Sequence, residues 1–362
     1  MAPVKYKVIE EMHIRSHGPR LMGDDNIAGV LQPGFIIDVV DQVKGDIFKN
    51  TEIWLKDANE FYYWKGATVK VGADQNYSDA HYTNEWWFER LQIRRIWNEL
   101  GTKGEGVRVA IWDTGVDVKR TGLNGIIGYN FLDDNNDIKD TSDILHGSNV
   151  ARLIGNIAPE CSIFAAKAYE KNGTGIERFA FENFANSDIY KKTDIVNISY
   201  AFQSTGSALI TLIEKMKAKI DFSHTVCAAI GNYSPDDATP FTTYPSALPS
   251  VMAIGAINRD DSLFKESPNT DYVSFCAPGS EITNLLPNSK DLKGTSFACA
   301  MVSGISALII SYFRKNGRLI DHSEVKNLLL KSCIGQPSAP SRFGNGILDT
   351  DLLLQNIQKI IR

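Results

Sequence analysis

Residues 297–313 read FACAMVSGISALIISYF, an apolar run interrupted only by the small residues Ser303, Gly304, Ser306 and Ser311. A helix that is apolar on every side belongs inside a large core or inside a membrane. The run falls short of the roughly 18 residues that a spanning helix needs, so it predicts the buried central helix of a layered domain. Upstream lie VRVAIWD (107–113), SIFAAKAY (162–169), DIVNISY (194–200), HTVCAAI (224–230) and SVMAIGAI (250–257), all short apolar runs. Strands of that kind are buried on both faces. Segments such as 206–220 between them have room for crossover helices, and the pattern predicts a three-layer α/β domain around a mostly parallel sheet.

Residues 4–70 have a different texture. KYKVI, MHIRS, IAGVL, FIIDVV, TEIWLK and EFYYW are short segments separated by Gly, Pro, Asp and Asn, which predicts a small all-β domain. Gln32-Pro33-Gly34 fits a tight turn, and Asp57-Ala58-Asn59-Glu60 a hairpin leading into Phe61-Tyr62-Tyr63-Trp64. Those aromatics, with Trp54, read first as the core of a small β domain and second as a ligand groove. On His13-Ile14-Arg15-Ser16, then Gly29-Val30-Leu31 and the Gly34 turn, the segment resembles bacterial SH3-like domains, and the resemblance implies a small barrel. Residues 71–85, VGADQNYSDAHYTNE, are polar and without apolar period, and read as a linker. The chain therefore divides into a β domain over 1–75 and a second domain over 76–362, with the 71–85 linker overlapping the boundary. WWFERLQIRRIWNELG (86–101) has partly helical spacing, stops at Gly101, and is expected to dock on the second domain.

Composition narrows the partners. With 362 residues, 43% hydrophobic and 22% charged, the chain is an ordinary globular protein, and its formal charge of −5 comes without any Lys/Arg-rich run. Nucleic acid is not an expected partner, and neither is a membrane. Five cysteines in apolar surroundings, with no CxxC spacing, read as buried free thiols. Together with an N-terminal 30 residues lacking an apolar core, they give a cytoplasmic expectation.

Chemistry concentrates at four places where a strand gives way to a turn or helix, the position at which open α/β sheets build their sites. Asp113 ends VRVAIWD and is followed by Thr114-Gly115. His146 opens the apolar segment HGSNVARLIG, with Gly147 leaving space beside it. Ser296, in GTSFACAMVSG, stands at the start of the long helix, where the dipole favours negative charge. A serine nucleophile needs a base, and the base needs a group that fixes its tautomer; His146 and Asp113 fit those roles. Asn232, in CAAIGNYS, follows a strand and a glycine, and its side-chain amide suits an oxyanion.

Asp113-Thr114-Gly115, His146-Gly147, Ala229-Ile230-Gly231-Asn232 and Gly294-Thr295-Ser296-Phe297-Ala298, in that order, resemble the signature of the subtilase family over roughly residues 86–362. Ala158-Pro159, Tyr244-Pro245, Ala277-Pro278-Gly279 and Gly344-Asn345-Gly346 agree with it. The resemblance implies a subtilisin-like serine endopeptidase, with a polypeptide substrate bound as an added strand between Gly173-Thr174-Gly175 (preceded by Asn172) and Ser199-Tyr200-Ala201. It implies a pocket for the residue before the scissile bond at Ala229, Gly231, Tyr233 and Thr243. That lining predicts an apolar or aromatic preference, while Asp236-Asp237 nearby could instead attract a basic side chain. Two departures stand out: Ser148-Asn149 replaces the usual Thr-His, and Phe297-Ala298-Cys299-Ala300-Met301 replaces Met-Ala-x-Pro-His. The β domain occupies the place of the family's inhibitory prodomain, which raises the expectation that it or the 71–85 linker regulates access to the cleft, or that the domain binds a further partner.

Three competing readings stand beside this one: a catalytically silent peptide-binding protein of the same fold, an esterase using the same three residues, and a calcium loop at Asp133-Asp134-Asn135-Asn136-Asp137. The loop has Ile138 and Ile144 where an EF-hand needs Gly and Glu, so a solvated loop is preferred and no cofactor is expected. Cys299 reads as helix packing rather than as a second nucleophile.

Overall fold

The computed structural model describes residues 4–8, 12–20, 27–31, 36–48, 51–70, 85–123, 125–170, 178–203, 207–220, 224–233, 242–268, 270–283, 285–286, 291–335 and 340–361. The turn at 32–34, the linker apart from Glu85, the segment 172–175 and Asp236-Asp237 lie outside them.

The N-terminal segment forms β1 (Val4–Val8), β2 (Met12–Arg15), β3 (Ile27–Leu31), β4 (Ile36–Phe48), β5 (Thr51–Asp57), β6 (Tyr62–Trp64) and β7 (Thr68–Lys70). They make one antiparallel sheet in the order β3-β2-β6-β5-β4-β1-β7. The β5–β6 turn is where the sequence places it. Asp57 Oδ1 accepts from the amides of Asn59 and Phe61, both at 2.9 Å, and Glu60 takes φ 62°. Trp54, Phe61, Tyr63 and Trp64 are buried, so these aromatics pack rather than line an open groove.

Next come α1 (Trp86–Arg90) and α2 (Ile93–Leu100), broken by Gln92 in the left-handed region and closed by Gly101 at φ 60°. A second sheet is built from β8 (Arg108–Asp113), β9 (Ile127–Asn130), β10 (Ser162–Lys167), β11 (Ile195–Ile198), β13 (Thr225–Ala229), β15 (Val251–Ile257), β16 (Phe275–Pro278), β17 (Cys333–Ile334) and β18 (Ile347–Leu348); a separate small pair is β12 (Phe202–Gln203) with β14 (Thr243–Tyr244). Its order is β17-β18-β16-β15-β13-β11-β8-β10-β9, parallel except for the β17–β18 pair. The other helices are α3 (Val118–Thr121), α4 (His146–Ile157), α5 (Arg178–Asn186), α6 (Asp188–Lys192), α7 (Ser207–Lys219), α8 (Thr295–Lys315), α9 (His322–Leu330), α10 (Pro340–Phe343) and α11 (Thr350–Ile361).

Strand side chains alternate between faces, and here both faces are apolar. Val109 and Ile111 of β8 join one core with α2, α4, α8 and α11, while Ala110 and Trp112 join another with α5, α6 and α7. The helix that holds this run, α8, spans Thr295–Lys315 and is, by length and composition, enough to cross a membrane, contrary to the expectation from the shorter apolar stretch; 94% of its apolar window is buried inside the protein. Its serines are satisfied within the core: Ser303 Oγ donates to Asn197 Oδ1 at 2.9 Å and Ser306 Oγ to the Val302 carbonyl at 2.8 Å. Cys227, Cys276 and Cys299 are buried free thiols, as expected, but Cys161 and Cys333 are only partly buried.

The N-terminal sheet shares the second core rather than keeping its own. Gly29 of β3 lies against Ile127 and Gly128 of β9, and the junction is pinned by a buried cation. Arg108 is 1% exposed, lies 3.9 Å from the Phe61 ring centroid and reaches Asp57 Oδ2 at 3.4 Å. Asp57 Oδ2 also accepts from the Tyr63 hydroxyl at 2.7 Å. Removing one partner strands a buried charge, so Asp57→Ala is expected to lower stability by about 3–5 kcal/mol, read by denaturant unfolding; a loss below about 1 kcal/mol would show that the pair behaves as an exposed one.

Candidate active site

β8 delivers Asp113 to its carboxyl end with 1% exposure. The chain then turns through Gly115 at φ 101°, where a side chain would meet the Ile138 carbonyl at 2.5 Å. Gly147 is required for the same reason: a Cβ there would stand 2.2 Å from the Gly115 carbonyl and 3.0 Å from Asp113 Oδ1. The space beside His146 is thus filled by the Asp113 turn. His146 is the first residue of α4, held by its amide donating to Ser142 Oγ at 2.6 Å. Its Nδ1 lies 2.7 Å from Asp113 Oδ1; an ionised carboxylate only accepts, so Nδ1 carries the proton and Nε2 is free as a base.

The carboxylate is fixed by Thr114, whose amide donates to Asp113 Oδ1 at 2.8 Å. Behind it stands Asp140, 4% exposed, a residue the sequence reading did not single out. Its Oδ1 accepts from Thr114 Oγ1 at 2.8 Å and Ser142 Oγ at 2.8 Å, and its Oδ2 from the Ser148 amide at 2.9 Å and hydroxyl at 2.7 Å. The departure at Ser148-Asn149 is therefore structural: Ser148 binds Asp140, and Asn149 Nδ2 donates to the carbonyls of Ile144 and Leu145 at 2.7 and 3.0 Å. Asp140 is one of several acids in DIKDTSDILH, and only its burial distinguishes it. Burial alone would lower the pKa of His146; the charge and hydrogen bond of Asp113, then the charge of Asp140, outweigh it and hold the imidazole above its ordinary 6.5.

Ser296 is the second residue of α8 and 7% exposed. Its Oγ donates to the Ser199 carbonyl at 2.9 Å, and Ser199 Oγ donates back to the Ser296 carbonyl at 2.9 Å. The hydroxyl is thus directed at β11's end rather than at the imidazole. Asn232 is exposed, and its Oδ1 accepts from the Thr295 amide at 2.9 Å, which assigns the amide orientation and leaves Nδ2 for the cleft. Gly294, at φ 141°, allows this approach: a Cβ there would lie 2.8 Å from Asn232 Nδ2.

His146, Asn232 and Ser296 line one cleft of about 420 Å³ with Ser199, Tyr200, Ala201, Ala229, Gly231 and Tyr233. Asp113 lies beneath it. Thr243 does not line it, contrary to expectation. It is fully buried, and its hydroxyl is engaged with the Ile230 carbonyl at 3.0 Å, Ser246 at 2.8 Å and Tyr272 at 2.6 Å. Gly173, Thr174 and Gly175 lie outside the described residues. Tyr169 joins the lining, its ring 4.8 Å from that of Tyr200. Burial pushes the Cys299 thiol well above its ordinary value, and its Sγ contacts Asn197 Oδ1 at 3.3 Å, so it packs and does not ionise. In and beside the acidic loop, Asn130 Oδ1 accepts the Leu132 amide at 3.0 Å, Asn135 Oδ1 the Asp137 amide at 2.8 Å and Asp137 Oδ1 the Lys139 amide at 3.0 Å, three local turns.

Among known protein families, the subtilase family matches residues 104–346. The major intracellular serine protease of Bacillus subtilis is 34% identical over 276 residues, covering 71% of this chain and 85% of that one. An intracellular serine protease of Paenibacillus polymyxa is 30% identical over 278 residues, covering 72% and 83%. Among solved structures, a lanthipeptide protease superposes with TM-score 0.62 at 20% identity, over 76% of this chain and 94% of that one, a likeness of fold.

Proposed function

The chain belongs to the subtilase family and is a serine endopeptidase, and from that premise we propose that Ser296 is its nucleophile, His146 its base and Asp113 the orienting carboxylate. The observation that carries this reading is the 2.7 Å Asp113–His146 pair at the cleft that Ser296 also lines. Ser296 Oγ attacks the scissile carbonyl carbon while His146 Nε2 takes its proton, then returns it to the leaving amine; water repeats the sequence on the acyl-enzyme. The hydroxyl first turns from the Ser199 carbonyl to the imidazole, a change between staggered rotamers of the kind substrate binding completes.

Asn232 Nδ2 and the amides at the start of α8 hold the oxyanion. Asn232→Ala is expected to lower kcat about 100- to 1,000-fold with little change in KM, the size seen when the equivalent oxyanion donor is removed from a subtilisin; an equal rise in KM would assign Asn232 to ground-state binding. The base must be neutral. With His146 held above 6.5, kcat/KM is expected to fall on acidification with a midpoint above that value, and Asp140→Asn to move the midpoint down. Protonated His146 stabilises the fold, so that contribution is full below the unfolded pKa and is lost as pH rises through the folded one, the interval in which activity appears.

The substrate binds extended along Ser199-Tyr200-Ala201, main chain to main chain. Of the expected pocket residues, Ala229, Gly231 and Tyr233 line the cleft and are uncharged, with Asp143 also in the lining; the three uncharged walls support an apolar residue before the scissile bond. The names of the two intracellular relatives support a cytoplasmic setting. The regulatory role for the β domain is tested by Asp57→Ala below its unfolding temperature: faster peptide turnover means the sheet restrains the cleft, and unchanged turnover means it only supports the α/β sheet.

A further inference from the structure

We propose, resting on the triad reading above, that Tyr169 is a positioning residue for Asp113, its phenol hydroxyl donating to the second carboxylate oxygen in the working enzyme. The two oxygens of Asp113 are unequally served. Oδ1 takes His146 Nδ1 at 2.7 Å, the Thr114 amide at 2.8 Å and the Thr114 hydroxyl at 3.2 Å. Oδ2 is buried and has no partner among the described residues. A buried ionised oxygen without a donor is costly, and it leaves the plane of the carboxylate held from one side only.

The donor at hand is Tyr169. It lies two residues beyond Lys167, which pairs with Asp113 in the parallel β10–β8 register, and the Ala168 amide donates to the Asp113 carbonyl at 2.8 Å. The phenol is 2% exposed and donates to the carbonyl of Trp112, the residue before Asp113, at 3.3 Å, long for an O–H···O bond. That bond is the weaker of the two available, since a carboxylate is a stronger acceptor than a carbonyl. Burial first, then the charge of Asp113, hold the phenol well above its ordinary value. It therefore stays a donor near neutral pH, where the proton on His146 matters. With Oδ2 bonded, the carboxylate plane is fixed so that Oδ1 faces Nδ1, and part of its charge is drawn away from the imidazole.

Tyr169→Phe keeps the ring against Tyr200 and removes only the donor. The expected result on the full-length enzyme is a fall in kcat of about tenfold with KM unchanged within about twofold, and an acid limb of kcat/KM displaced upward, because the unshared charge of Asp113 raises the imidazole. Tyr169→Leu is expected to show the same loss in kcat with a higher KM, which guards against a folding defect peculiar to one variant. In an Asp113→Asn background, Tyr169→Phe is expected to change kcat by less than about twofold. An unchanged kcat and acid limb in Tyr169→Phe, or an equal loss in the Asp113→Asn background, overturns the proposal. If Asp113→Asn is itself harmless, the triad reading fails and this one with it; if Asp113→Asn is damaging and Tyr169→Phe silent, this one alone fails.

Discussion

Ser296→Ala is expected to reduce kcat by a factor on the order of a million while leaving the protein folded, a size measured for the equivalent change in a subtilisin and borrowed from that relative. Among the described residues, the other hydroxyls and the thiol near the cleft are engaged or buried: Thr114 and Ser142 donate to Asp140 Oδ1, both at 2.8 Å. Cys299 is buried with its thiol held protonated, and Ser199 Oγ is engaged by the Ser296 carbonyl at 2.9 Å. The alanine removes one hydrogen bond, to the Ser199 carbonyl at 2.9 Å, so stability should change by about 1 kcal/mol or less. Peptide binding should persist, because the backbone of Ser199-Tyr200-Ala201 and the pocket walls are untouched. Steady-state proteolysis and calorimetric unfolding of the same preparation check both halves; substantial residual proteolysis would move the nucleophile elsewhere.

Asp113→Asn is expected to cost on the order of 10,000-fold in kcat. The carboxamide is isosteric, so the turn at Gly115 and the approach of Gly147 survive, but two things are lost. The charge that offsets the imidazolium in the transition state disappears, and an amide nitrogen placed towards His146 Nδ1 would force the proton onto Nε2, where the base is needed. The acid limb should also move down, since Asp113 is the chief influence raising His146. Kinetics across pH check this, and a variant within tenfold of the parent would show that the 2.7 Å pair is not part of the reaction.

Much of the α/β architecture was legible because its strands are buried on both faces and so read as unbroken apolar runs. Asp113, His146, Asn232 and Ser296 are legible because each stands where such a run meets a glycine or a helix; His146, Asn232 and Ser296 line one cleft, and Asp113 is bonded to His146 behind it. What stayed hidden depends on partners distant in sequence. Arg108 lies unremarked inside the apolar run 107–113 and Asp57 reads as a turn residue, yet the two meet across the junction between the sheets. Tyr169 reads as one more core aromatic until Asp113 Oδ2 is seen to lack a donor. Likeness to the family places Thr243 in the pocket, but its hydroxyl is engaged by Ile230, Ser246 and Tyr272.

The most direct test of the central claim is to label the purified full-length protein with a fluorophosphonate and map the adduct by mass spectrometry, alongside Ser296→Ala. The expected result is a single adduct on Ser296, abolished by the substitution and weakened on acidification as His146 protonates. An adduct on another residue, or labelling that survives Ser296→Ala, would contradict it.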